Sequence, residues 1–343
     1  MDFKADNYIE YINEVLKPNH TENAVVLDLF AGCGGLALGF EAAGFKTIGF
    51  EMNLPASKTY AKNLNSECYP IKLEVGYDYP SADIIIGGPP CQPFSVGGDQ
   101  KGMEDSRDGF PIFIDAVKRL NPKVFLFENV RGLLYSNKWY FNLIVRELSH
   151  LGYIIDFKLI NAVHYKVPQN RERLFVVGHK SNFKFPKTYN QKTTVGNAIG
   201  DLMTHFSDES KFLNPSMDAY VAKYERASQC INPRDLYPDK PARTLTCRNL
   251  AGATGDMQRV RLGDGRRRRI TSHEAARLQS FPDWFDFQGN ETQVYNQIGN
   301  AVPPLLALQM ALAVKKCYYQ SEELPSSYIQ HYNHIAYQDL TLF

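Results

Sequence analysis

Asp28-Leu-Phe-Ala-Gly-Cys-Gly-Gly-Leu-Ala-Leu-Gly39 changes character twice within a short stretch of chain. It closes the apolar run Ala24-Val-Val-Leu-Asp-Leu-Phe30, turns through Gly32, Gly34 and Gly35, and then enters a helical segment from Leu36 to Ala43. Strand, glycine turn and helix in that order let a ligand approach the backbone closely at the helix N-terminus. Lys46-Thr-Ile-Gly-Phe50 repeats the strand pattern, and Glu51 follows it at the place where an acidic side chain holds a ribose hydroxyl pair. The segment therefore predicts a nucleotide-like cofactor. Gly32-x-Gly34-x-x-Ala37 also satisfies a loose dinucleotide fingerprint, so NAD and S-adenosylmethionine both stay open on these residues.

Working outward, further apolar runs occur at Asp83-Ile-Ile-Ile86 and Lys123-Val-Phe-Leu-Phe127, the second after a helical stretch from Ile112 to Leu120. Lys138 to Leu151 reads as a helix, with strands near Ile154–Ile160 and Arg173–Val177. Continuous apolar strands separated by helices predict an α/β fold whose parallel sheet is covered on both faces, with ligands at the strands' carboxyl ends. From about Phe183 to Arg261 the chain is polar, has no sustained period, and reads as a smaller domain of irregular structure. Helical pattern returns at Ser272–Gln279 and from Pro303 to Tyr318, where Pro303-Pro304 suits a first helical turn. The expected division is residues 1–185, 186–262 and 263–343, the last returning to the first. The 343 residues agree with about two domains on a scale of roughly 150 residues each.

Composition narrows the partners. Lys+Arg 38 against Asp+Glu 37 leaves +1, which excludes a generally basic coat but not a local patch. Between Lys240 and Arg269 stand Lys240, Arg243, Arg248, Arg259, Arg261 and Arg266 to Arg269 against Asp256 and Asp264, or nine minus two. No run approaches the roughly 18 consecutive apolar residues of a membrane span, and Met1 to Glu10 is too polar and acidic for a signal peptide. Cysteines at 33, 68, 91, 230, 247 and 317 show no C-x-x-C spacing. A reducing cytoplasm is expected, with neither a disulfide scaffold nor a structural metal.

Three more segments carry chemistry. In Gly87-Gly-Pro-Pro-Cys-Gln-Pro-Phe-Ser95 the prolines constrain the backbone and set Cys91 at a strand's carboxyl end, where a nucleophile belongs. A lowered thiol pKa there would need a positive or helix-terminal environment; the bland alternative is an inert buried thiol. Glu128, in Phe127-Glu-Asn-Val130, falls on the same edge as a candidate acid or hydrogen-bonding group; taken alone, it reads as a helix cap or surface acid. In Gln169-Asn-Arg-Glu-Arg173, alternation along an extended chain predicts that Arg171 and Arg173 point together toward the site. The glycine-rich, polar stretch from Val96 to Gly109 reads as a closing loop after the nucleophile.

Taken in order, these segments resemble the DNA cytosine-5 methyltransferase family (C5-methyltransferases of bacterial restriction–modification type). The resemblance extends to Arg268-Arg-Ile-Thr-Ser-His-Glu-Ala-Ala-Arg277 and Gln297-Ile-Gly-Asn-Ala-Val-Pro-Pro304, and covers about residues 24–180 and 242–318. It implies a Rossmann-like S-adenosylmethionine-dependent methyltransferase domain with a smaller irregular target-recognition domain. It also implies S-adenosyl-L-methionine as methyl donor, no metal, and double-stranded DNA as partner. A cognate restriction endonuclease would act on the same site without necessarily binding the chain, in a bacterial cytoplasm away from membranes.

Cytosine C5 is a poor nucleophile, and addition of a thiolate at C6 places electron density on it. By the resemblance Cys91 is that nucleophile, and Glu128 protonates or hydrogen-bonds N3 and the exocyclic amine. Arg171 and Arg173 hold the base, Arg173 at its carbonyl oxygen. Phe30, Gly32, Gly34, Glu51, Met52, Pro90, Asn300 and Val302 match cofactor-binding positions. Gln92, Ser95, Arg107, Arg243, Thr244 and Arg248 are the expected DNA contacts. The target base must leave its stack to reach Cys91. The family often has an Asp near its third strand for the adenine, whereas this chain reads Tyr69-Pro-Ile-Lys-Leu-Glu-Val75, so the adenine contact is unassigned. A tRNA cytosine-5 methyltransferase of similar core is one alternative; the sizeable irregular region and the lack of a Cys-Phe-Thr signature favour DNA. A nicotinamide-dependent oxidoreductase is the other, and it leaves Pro89–Phe94 and both arginines unexplained.

Overall fold

The computed structural model describes residues 7–91, 108–204, 208–227, 229, 234–252, 255–320, 324, 325 and 329. In chain order the elements are α1 (Tyr8–Val15), β1 (Val25–Leu29), α2 (Gly35–Ala42), β2 (Lys46–Phe50), α3 (Leu54–Asn63), β3 (Cys68–Tyr69), β4 (Ile84–Gly87), α4 (Phe110–Leu120), β5 (Val124–Val130) and α5 (Lys138–His150). They continue with β6 (Ile154–Asn161), β7 (Glu172–His179), α6 (Val195–Ile199), α7 (Pro215–Ala227), α8 (Cys247–Ala251), β8 (Arg259–Arg261), β9 (Arg267–Arg269), α9 (Ser272–Leu278), α10 (Glu291–Asn300) and α11 (Pro304–Tyr318). Two compact units result. The sheet unit comprises Pro18–Ile160, Glu172–Lys187 and Ala307–Phe343; the second unit comprises Met1–Lys17, Asn161–Arg171 and Thr188–Leu306. These are boundaries of packing, whereas the divisions at 185 and 262 mark expected roles.

The sheet runs β3-β2-β1-β4-β5-β7-β6. β1 pairs in parallel with β2 and β4, and β4 with β5, which confirms the α/β expectation for the strands around the glycine turn. Its apolar strands are buried, and an aromatic cluster of Phe110, Phe113, Phe125, Phe127 and Tyr153 fills the core beside β4 and β5. The wholly parallel reading needs correction at β7, which pairs antiparallel with β5, Val130 opposite Arg173. The short link from Ala162 to Arg171 cannot hold the crossover that parallel neighbours need. The reversal has a use: the start of β7 comes to the same edge as the ends of β4 and β5.

In the glycine turn, Phe30, Gly32 and Gly34 take φ of 59°, 55° and 89°. A Cβ on Gly34 would come within 2.9 Å of Leu64 and Tyr60, so glycine is required there on both counts. Gly39, on α2, answers to packing alone. Its Cβ would lie 2.4 Å from the Ala307 carbonyl carbon and the Leu308 nitrogen of α11. Gly39→Ala is therefore expected to destabilise the chain by about 1–3 kcal/mol, the cost of overpacking a rigid contact. Thermal unfolding measures it; an unchanged Tm would show that the two helices slide apart freely.

In the second unit, the stretch read as irregular holds α6, α7, α8 and β8, which pairs antiparallel with β9 just beyond it. Alpha-helix α7 escaped the sequence reading because it buries only Val221, leaving no apolar stripe to count. The helices α1, α3 and α10 were also not anticipated, although Asn53 caps α3 by accepting from the Ala56 nitrogen at 3.1 Å and Pro55 stands in its first turn. The stretch Glu291–Tyr318 is long and apolar enough to cross a membrane by length and composition, but 72% of its most apolar window is buried inside the fold.

Candidate active site

In the sheet unit, the carboxyl ends of β1, β2, β4 and β5 present the glycine turn, Glu51, Pro89 to Cys91 and Glu128 to Val130 along one edge. The Pro-Pro-Cys segment is held from two sides. Asn129 Nδ2 donates to the Pro89 carbonyl at 2.9 Å, and the Gly109 nitrogen donates to the Pro90 carbonyl at 2.9 Å. Cys91 also forms an isolated antiparallel bridge with Asp108. Asp108 is buried; its carboxylate accepts from the Phe110 nitrogen at 3.1 Å and from the Tyr140 hydroxyl.

Burial, reinforced by the Asp108 charge, pushes the Cys91 thiol up to about 12. Both influences favour the thiol over the thiolate, the opposite of the positive or helix-terminal setting that would lower it. Only the thiolate alkylates. The iodoacetamide labelling rate at Cys91 should therefore rise about tenfold per pH unit across pH 7–10, and Asp108→Asn should raise it severalfold at fixed pH. Peptide mass spectrometry reads both; a labelling rate already flat by pH 8 would contradict the assignment.

Glu128 and Arg173 meet as the antiparallel register of β5 and β7 dictates. Arg173 Nε lies 3.0 Å from Glu128 Oε1, both side chains nearly buried, and Arg173 also donates to the Glu172 carbonyl at 2.8 Å. A planar fork against a carboxylate fixes both groups in orientation.

At the glycine turn, Glu51 accepts from the Gly32 nitrogen at 2.9 Å and the Asn53 nitrogen at 2.7 Å, so its carboxylate is oriented before any ligand arrives. A Cβ on Gly32 would meet nothing within 4 Å, so the space above the turn is open. Asp28 Oδ2 is buried without a hydrogen-bond partner, and burial, then the Glu51 charge, raises its carboxyl well above the usual range. Phe30 is half-buried, Met52 is exposed, and Pro90 is half-buried. Open space, an orphaned acid oxygen and an oriented carboxylate fit a polar cofactor with ribose hydroxyls.

The expectation that Arg171 and Arg173 point together fails. Arg171 precedes β7 and belongs to the second unit, where it is buried and donates to the carbonyls of Leu245 (2.6 Å), Gly299 (3.0 Å) and Ala301 (3.0 Å). The alternation argument assumed an extended chain running back through Arg171, whereas β7 begins at Glu172. Thr244 is held likewise, its hydroxyl donating to the Asn170 carbonyl at 2.6 Å. Asn300 is exposed at the end of α10 and accepts from Cys247 Sγ at 3.0 Å; Val302 is buried.

The basic run is also corrected. Arg259 and Arg267 pair with Asp235 and Glu225, Arg268 with Glu274 in full burial, and Arg266 with Asp264. Three of those acids, at 225, 235 and 274, lie outside the window that was counted. Lys240, Arg243, Arg248, Arg261 and the Asp264-paired Arg266 stay at the surface, and Arg248 shares Asp256 with the half-buried Arg234 at 3.1 and 3.3 Å. Arg243, exposed overall, has its guanidinium pushed down by partial desolvation and then by the Arg234 charge. Sequence reading missed Arg234 because it precedes the arginine-rich window. Gln92, Ser95, Arg107, the cysteine at 230 and nearly all of the expected closing loop lie outside the described residues.

Comparison with known proteins settles the lineage. The family model for C-5 cytosine-specific DNA methylases matches residues 24–316. The chain belongs to that family. It is 56% identical to the type II methyltransferase M.AplI of Arthrospira platensis over 94% of this chain and 95% of that one. It is 34% identical to the type II methyltransferase M.Eco47II of Escherichia coli, covering 84% and 78%. Among solved structures, a Spodoptera frugiperda DNMT2 mutant superposes with a TM-score of 0.65 at 18% identity, covering 87% of this chain and all of that one; this supports the fold alone. The C5-methyltransferase is thus a DNA cytosine-5 methyltransferase with a Rossmann-like fold, as the ordered motifs implied.

Proposed function

We propose that this enzyme methylates cytosine C5 within one specific duplex DNA sequence through a transient bond between Cys91 Sγ and C6. The observation that carries the reading is the juxtaposition, on adjacent strand ends of one unit, of the doubly held Cys91 and the Glu128–Arg173 pair. S-adenosylmethionine, when bound, supplies an electrophilic methyl group. Glu51 orients its ribose, the Phe30–Gly34 turn admits its backbone-side contacts, and Met52 and Pro90 border it. Asn300 and Val302 keep their family assignment to the methionine end.

The thiol proton of Cys91 leaves to solvent, and the thiolate adds to C6 as Glu128, having taken up a proton from solvent as the base enters, delivers it to N3 and Arg173 holds the carbonyl oxygen. C5, so activated, is the atom that would accept the sulfonium methyl of a bound cofactor, whose S–CH3 bond would break to leave S-adenosylhomocysteine. Water removes the C5 proton as the S–C6 bond breaks, N3 returns its proton to Glu128, and the thiolate is restored. Arg234, Arg243 and Arg248 bring positive charge to phosphate, and residues 186–262 serve as the target-recognition domain, with base-reading side chains between Thr193 and Asp256. Gln92, Ser95, Arg107 and Thr244 keep their place as expected DNA contacts. The biological role we assign is protection of host DNA in a bacterial cytoplasm, paired with an endonuclease of the same specificity. Tritiated methyl transfer to duplex DNA and to tRNA, followed by bisulfite sequencing of DNA from expressing cells, tests the reading. Label in DNA at cytosines of one sequence context is expected; label confined to tRNA would overturn it.

A further inference from the structure

We infer that Arg171 and Gln169 are positioning residues that tie the target-side segment Thr244–Leu245 to the turn Gly299–Val302, so that cofactor and DNA bind cooperatively. The inference rests on the cofactor and recognition roles proposed above and goes beyond them in assigning the link.

Both side chains are essentially fully buried. A buried guanidinium is tolerated only where its donors find acceptors. Arg171 finds them on segments far apart in sequence: Leu245 on one side, and Gly299 and Ala301, at the C-terminal end of α10, on the other. A cation is favoured at that end of a helix. A second, parallel route joins the same two places. Gln169 Oε1 accepts from the Leu245 nitrogen at 2.9 Å, and its Nε2 donates to Gln279 Oε1 at 2.5 Å. Gln279 Nε2 in turn donates to the Ala301 carbonyl at 2.6 Å. The backbones also touch: a Cβ on Gly299 would fall 2.5 Å from the Cys247 nitrogen. Displacing either segment therefore breaks hydrogen bonds to the other. A ligand that orders one segment lowers the cost of ordering its neighbour, and the effect is reciprocal. The fork geometry is specific to arginine, because a lysine ammonium cannot span the carbonyls of Leu245 and of the α10 end together.

The test measures affinity for a duplex carrying the bisulfite-mapped site, with and without S-adenosylhomocysteine, by fluorescence anisotropy. In the unaltered enzyme the cofactor product is expected to tighten DNA binding about tenfold, within the usual range of coupling. Arg171→Lys and Gln169→Met should each bring that factor toward unity and raise KM for S-adenosylmethionine more than they lower kcat. Thermal unfolding accompanies each, and Gln169→Met, which removes no charge, carries the test if Arg171→Lys fails to fold. A coupling factor retained in the variants, or absent from the unaltered enzyme, overturns the inference while leaving the methyltransferase reading intact. Failure of the unaltered enzyme to methylate the duplex would instead overturn that reading, and this inference with it.

Discussion

Cys91→Ser is expected to lower methyl transfer to duplex DNA by at least about a thousandfold, the scale seen when a covalent nucleophile is removed. The reason is chemical rather than architectural. The position of residue 91 is set by backbone contacts, Asn129 to the Pro89 carbonyl and Gly109 to the Pro90 carbonyl, and neither involves the sulfur. The variant should unfold at the same temperature as the parent. A hydroxyl in this half-buried, acid-flanked place has far less access to its anion than even a thiol pushed up to about 12. A duplex with 5-fluorocytosine at the target gives the complementary measurement. The C5 fluorine cannot depart as a proton does, so the S–C6 bond persists and enzyme and DNA should migrate together on a denaturing gel. Cys91→Ser should give no such species. Undiminished transfer by the variant, or failure of the parent to trap, would remove the basis of the mechanism.

Glu128→Gln should cost about a hundred- to ten-thousandfold in kcat, the range of a general acid lost from its place. Glutamine preserves the shape and one acceptor but cannot hand a proton to N3. Arg173→Met tests the other half of the pair. Because Arg173 Nε and Glu128 Oε1 meet at 3.0 Å in a nearly buried setting, the two substitutions should not add: the double variant should lose less than the product of the single losses. Burst kinetics separates chemistry from DNA binding. If Glu128→Gln turned over within threefold of the parent, the carboxyl would be a structural partner of Arg173 and nothing more.

Much of the site was legible before folding. The glycine turn announces itself because φ near +60° to +90° and close approach admit few other residues, and Pro-Pro-Cys announces itself because prolines restrict the chain on either side of the sulfur. Glu51 and Glu128 follow directly from strand ends, since apolar runs that stop at an acid place that acid on a predictable edge. Less could be seen where the partner is distant in sequence. Helix α7 buries only Val221 and leaves no stripe; Arg234 stood outside the counted window; and the arginine run looked more cationic than it is because the acids at 225, 235 and 274 could not be associated with it.

By itself, then, the amino-acid order determined the strand–turn–helix units and the family, and singled out the proposed nucleophile, because those depend on residue types within a few positions of one another. Tertiary structure alone decided that β7 reverses, bringing Arg173 to Glu128, and that Arg171 turns instead to three carbonyls at 245, 299 and 301. It decided, too, that Cys91 bridges to Asp108, where burial and the acid push its thiol up. Strand direction, charge compensation and thiol acidity are set by groups that meet only after the chain has folded back on itself, and local pattern carries no record of who those partners will be.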